Sequence, residues 1–193
     1  MSLGGILVGY FSDNYDKLRF PIAAPPRGGF RLAQLAAIHA VSAHFFNSKQ
    51  PALITMPTGS GKTTVLVTSA FVLRATRVLV LTPSRLVREQ LAEAFRLLLD
   101  LKKFEALPNE LASPRVYATR NMLGSDEEWE SLRHFDVVVA TVPSVSREGV
   151  IPAPPDDLFD LVLVDEAHHS FDRGHCYPRT SLLAANLSPI LVL

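Results

Sequence analysis

The chain has 193 residues, 48% of them hydrophobic and 20% charged, and its 19 basic and 19 acidic side chains give a formal net charge of zero. That is enough chain for one domain with a full core, and the balance argues against disorder and against a polycation that coats nucleic acid, while leaving room for a local groove on one face. No apolar run approaches the roughly 18–20 residues that span a bilayer, the start lacks a cationic leader, and the lone Cys176 cannot form an internal disulfide, so a reducing, cytoplasmic setting is expected.

Residues 1–29, with Pro21, Pro25, Pro26, Gly28 and Gly29, read as an irregular N-terminal arm. From Arg31 to about Phe46, Leu32, Leu35, Ala36, Ile38 and His39 follow helical spacing. Short β-branched runs then alternate with helical patterns. Strands are expected over 52–55, 77–82, 114–118, 136–141, 159–164 and 190–193, and helices over 62–73, 84–99, 126–133 and 180–186. Strands separated by helices imply parallel βαβ units, and strands that are apolar throughout imply a sheet covered on both faces. Residues 30–193 therefore read as one α/β domain, a parallel sheet sandwiched by helices. The proline-rich stretch 149–157 reads as a rigid loop, and the closing Ser188-Pro189-Ile190-Leu191-Val192-Leu193 reads as a strand cut off, so the chain is expected to be a fragment of a longer protein.

After the apolar run 52–55 comes Met56-Pro57-Thr58-Gly59-Ser60-Gly61-Lys62-Thr63, followed by Thr64 and a helical pattern. Such a loop binds phosphates because backbone N–H groups turn inward around them and the next helix points its N-terminus at them. Gly59 and Gly61 permit left-handed backbone and close approach, Lys62 supplies a point charge at the β- and γ-phosphates, and Thr63 offers a hydroxyl to Mg²⁺. The general pattern has glycine where this chain has Met56.

About a hundred residues on, Leu161-Val162-Leu163-Val164 ends in Asp165-Glu166-Ala167-His168. Asp165 then emerges at the carboxyl edge of a buried strand, placed to hold Mg²⁺ opposite Thr63. Glu166 can orient and deprotonate a water. Together the two segments predict binding and cleavage of a nucleoside triphosphate. His168-His169 and His175-Cys176 do not have the spacing of a common zinc site.

These residues resemble motifs I and II of superfamily 2 helicases, in the DEAH variant, over about residues 30–193. Arg31-Leu32-Ala33-Gln34 resembles their Arg-x-x-Gln adenine segment, in which Gln34 could present a carbonyl and an amide to the base. Pro83-Ser84-Arg85 and the following residues look like motif Ia, and Ala140-Thr141-Val142-Pro143-Ser144 like the later strand-end motif. The resemblance implies a RecA-like domain that binds ATP and Mg²⁺. The nucleotide would be held by Arg31, Gln34 and Pro57, Thr58, Gly59, Ser60, Gly61, Lys62, Thr63 and Thr64. Lys62, Asp165 and Glu166 would serve catalysis, and His168 would couple the site to neighbouring loops. It also implies a nucleic-acid track held by Pro83, Ser84, Arg85 and Thr141. The overall flavour is that of restriction-enzyme motor subunits and DNA translocases, which points to DNA rather than RNA. The chain stops before the third helicase motif and lacks the family's second RecA-like domain, whose arginine finger is worth on the order of 10³–10⁵ in rate, so slow turnover is expected of it alone.

Three other readings compete with this one. A protein-translocating P-loop motor would be stimulated by polypeptide instead of nucleic acid. A nucleotide-sensing module would have no track. A small-molecule kinase would need an arginine-rich lid, which the sequence does not show.

Overall fold

Runs of valine, leucine and alanine become the strands of one parallel sheet, because side chains of this kind fit a pleated surface covered on both faces. The computed structural model describes residues 9–145, 153–165 and 190–192. The strands are β1 (Ala52–Leu53), β2 (Val78–Thr82), β3 (Val116–Ala118), β4 (Val137–Thr141), β5 (Leu161–Val164) and β6 (Ile190–Val192). They lie in the order β1-β6-β5-β2-β4-β3, with every neighbouring pair parallel.

The helices are α1 (Tyr10–Asp13), α2 (Leu32–Asn47), α3 (Lys62–Val72), α4 (Arg85–Leu97), α5 (Leu99–Lys103), α6 (Asp126–Ser131) and α7 (Val142–Val145). The alternation within each strand decides which layer a residue joins. Val78, Val80, Val137 and Val139 face one core with α2, α3 and α4, while Leu79, Leu81, Val138 and Ala140 face a second core with Trp129 and Phe159. The sheet is thus buried on both sides, as its apolar runs predict. Among the described residues no helix is long and apolar enough to cross a membrane.

The structure differs from the expected elements in three places. The stretch before Phe30 contains α1 and belongs to the core: Phe11 is fully buried, with its ring edge-on to Phe71 at 4.9 Å and to Phe95 at 6.2 Å. The helix expected over 84–99 is two helices, broken where Leu98 takes a left-handed conformation (φ 53°). That costs leucine roughly 1–2 kcal/mol, offset by burying its side chain and that of Leu101. The inner face of α2 is also rotated from the expected one. Leu32 is exposed, and Gln34, Leu35, Ala37, Ile38 and Val41 are buried. The helix expected over 180–186 lies outside the described residues.

Candidate nucleotide site and adjoining groove

The loop between β1 and α3 is shaped by its own hydrogen bonds. Ser60 donates both its N–H (3.1 Å) and its hydroxyl (2.6 Å) to the Pro57 carbonyl, closing a tight turn. Gly59 (φ 77°) and Gly61 (φ 87°) are left-handed, and Gly61 caps the N-terminus of α3. A Cβ on Gly61 would fall 2.1 Å from the Gln34 amide nitrogen, whereas one on Gly59 would meet nothing within 4 Å. Gly61 is therefore required by its conformation, and a side chain there would also displace the Gln34 amide, while the exposed turn at Thr58 and Gly59 leaves open room for a ligand.

The start of α2 braces this loop. Arg31 Nη1 donates to the Gly59 carbonyl at 2.7 Å. The Gln34 carbonyl oxygen accepts from the Arg31 N–H at 2.8 Å, and its amide donates to the Gly61 carbonyl at 3.3 Å. Gln34 is only 3% exposed. Both ends of the side chain expected to read adenine are engaged within the chain, each through one of its two hydrogen-bonding sites.

Lys62 opens α3 and Thr63 follows it, exposed on the first turn. Asp165 follows β5, where its backbone N–H donates to the Leu81 carbonyl at 2.9 Å and continues the pairing with β2. Thr63 and Asp165 line one groove of about 600 Å³, with Pro83, Ser84 and Gln90 on another wall. Thr64 is turned elsewhere. It is buried, and its hydroxyl donates to Asp100 Oδ2 at 2.8 Å, which commits that side chain to holding α5 against α3.

A second groove, about 620 Å³, opens beyond the same Pro83-Ser84 segment at the carboxyl ends of β2, β3 and β4. It brings together Ser84, Arg85 and Thr141, as the sequence reading expects. Ser84 caps α4 by accepting from the Val87 N–H at 3.3 Å, and Thr141 shares a 2.6 Å hydrogen bond with Ser144. The groove also contains Arg120, Asn121 and Met122, which that reading does not single out. Their position just after a predicted strand, at the sheet edge where ligands bind in α/β folds, is the signal that could have found them.

Glu166 and His168 lie outside the described residues, as do His169, His175 and Cys176. Among the described residues no group of three or more His, Cys, Asp or Glu side chains could hold a metal by itself. A magnesium ion needs no such cage, since it usually keeps several waters and takes one or two protein oxygens beside its phosphates. The Thr63 hydroxyl and the Asp165 carboxylate, along one groove, are a donor set of that kind.

No curated protein matches the chain. Among solved structures it is similar to a chain described as a hypothetical ATP-dependent RNA helicase from Sulfolobus tokodaii, with a TM-score of 0.55 and 23% identity over 86% of this chain. The match spans 46% of that chain, a little under half its length. That likeness shows the RecA-like α/β fold. A family model described as "Type III restriction enzyme, res subunit" matches residues 28–189, from just before Arg31 to beyond the Asp165 segment. The chain belongs to that family, which is of the superfamily 2 helicase type.

Proposed function

We propose that the chain is the first motor domain of an ATP-dependent helicase or translocase whose track is nucleic acid, with DNA preferred over RNA. The observation that carries this reading is that Thr63 and Asp165, far apart in sequence, share one groove, while Pro83 and Ser84 separate it from a second groove bearing two arginines.

In this reading ATP sits on the loop from Pro57 to Thr64. Backbone N–H groups at the start of α3 face its phosphates, and the Lys62 ammonium neutralises the β- and γ-oxygens. Arg31 and Gln34 hold the loop in register for that contact. Thr63 and Asp165 would hold Mg²⁺, which supplies charge stabilisation at the phosphates when bound. Glu166 takes the proton of the attacking water, and His168 links the site to neighbouring loops. The DEAH subtype and a restriction-type parent protein, working in the cytoplasm, belong to the same proposal. So does slow hydrolysis by the isolated chain, because a second RecA-like domain would complete the site.

The second groove suits a polynucleotide backbone. Arg85 and Arg120 supply positive charge, and Ser84, Thr141 and Ser144 supply hydroxyls for phosphate oxygens. Steady-state ATP hydrolysis by the full-length protein tests the proposal, run at low salt with no polymer, single-stranded DNA, duplex DNA, RNA and an unfolded polypeptide. Stimulation by DNA is expected. Stimulation by polypeptide alone, or equal turnover under every condition, would replace the motor reading with a protein translocase or a nucleotide sensor.

A further inference from the structure

Arg88, just under a turn beyond Arg85 on α4, neither faces solvent nor lines the second groove. It is 7% exposed. Its Nη1 donates to the Thr119 carbonyl, while Nε (3.2 Å) and Nη2 (2.7 Å) donate to Glu89 Oε1. We infer that Arg88 is a positioning residue for the second groove, its buried guanidinium tying α4 to the end of β3 and so fixing the Arg120 wall against the Ser84-Arg85 wall. This inference rests on the reading of that groove as the nucleic-acid track.

Three bonds make the frame. The Arg88 N–H donates to the Ser84 carbonyl at 3.0 Å, so the tether stands one turn from the groove's near wall. Thr119, whose carbonyl receives the guanidinium, immediately precedes Arg120. The Thr119 N–H in turn donates to the Val139 carbonyl at 2.9 Å, two residues before Thr141 on β4. Thr119 is therefore bound both to the helix that carries Arg85 and to the strand that ends in Thr141. A leucine or methionine could fill the same interface without the desolvation penalty of a buried cation. What arginine adds is direction, a fixed donor aimed at one backbone carbonyl.

The test compares R88M, R88K, R85A, R120A, R88M/R120A and R88M/R85A in the full-length protein. It measures binding of a fluorescent DNA oligonucleotide over a range of salt, Mg-ATP affinity, and amide exchange over residues 119–122. R120A should weaken DNA binding and flatten the salt dependence by about one phosphate contact. R88M should weaken binding about tenfold, raise exchange over 119–122 and leave Mg-ATP affinity unchanged. The R88M/R120A pair should be no weaker than R88M alone, R88M and R85A should add, and R88K should recover part of the loss. Additive losses for R88M and R120A, or full binding by both R88M and R88K with unaltered exchange, would overturn the positioning role while leaving the track in place. Wild-type protein that binds no oligonucleotide would overturn the track itself and, with it, this role for Arg88.

Discussion

Arg31 Nη1 and the Gly59 carbonyl oxygen stand 2.7 Å apart, a bond that ties the start of α2 to the crown of the glycine loop before α3. It holds Gly59 from outside the loop. Arg31→Ala should weaken ATP binding several-fold, consistent with about 1 kcal/mol for one solvent-exposed hydrogen bond. The melting temperature should hardly move. Calorimetric titration with a non-hydrolysable ATP analogue checks the first and thermal unfolding the second, and unchanged affinity would remove Arg31 from the site.

Gln34 makes a sharper distinction. Because its amide spans the Arg31 N–H and the Gly61 carbonyl, Gln34→Ala should weaken ATP and GTP binding by similar factors. A selective loss of ATP would mean that the side chain reads adenine as well.

The Thr64–Asp100 hydrogen bond joins α3 to α5. Asp100→Ala leaves a buried hydroxyl unpaired, at a cost of about 1–3 kcal/mol. For a chain of this size that corresponds to a fall in Tm of roughly 2–4 °C per kcal/mol. Thr64→Val in the same background should recover much of the loss, as thermal unfolding of the four variants in a cycle would show.

Thr119 presents the opposite case. Its hydroxyl is buried without a hydrogen-bond partner. Thr119→Val keeps the shape and removes the unmet desolvation cost, so it should be neutral or stabilising by up to about 1–2 kcal/mol in urea unfolding. A clear loss would mean that the hydroxyl is satisfied in solution, for example by water.

The Tyr10 phenol is pushed up to about 12, first by burial and then by the charge of Asp136. A raised pKa means that folding favours the protonated phenol. The resulting stability is complete below the ordinary value of 10 and is lost as pH rises through about 12. Tyr10→Phe should flatten the stability profile across that interval. A wild-type profile already flat there would contradict the shift.

Much of this architecture is legible in the sequence because a twice-covered parallel sheet writes its strands as unbroken apolar runs. All six expected strands are present, each within its expected span. The glycine loop between β1 and α3 is equally legible as a tight strand-to-helix turn, since two left-handed positions before a helix leave little choice of residue. What escapes depends on tertiary placement. Phe11 sits in a stretch with no periodicity, and its burial comes from packing on α3 and α4. The reversal at Leu98 has no turn residue to announce it. Arg88 looks like any charged helix residue until β3 is placed beneath it. Arg120 joins Arg85 only because β4 lies between β2 and β3, an order that local pattern does not encode.

Pro83 and Ser84 are common to both grooves. A party wall two residues thick gives the two chambers no insulation from each other. Whatever fills one presses on a surface that the other also owns, and news of occupancy has almost no distance to travel. Variants that keep each groove intact yet stop them answering one another should therefore cluster in that short span rather than across the domain.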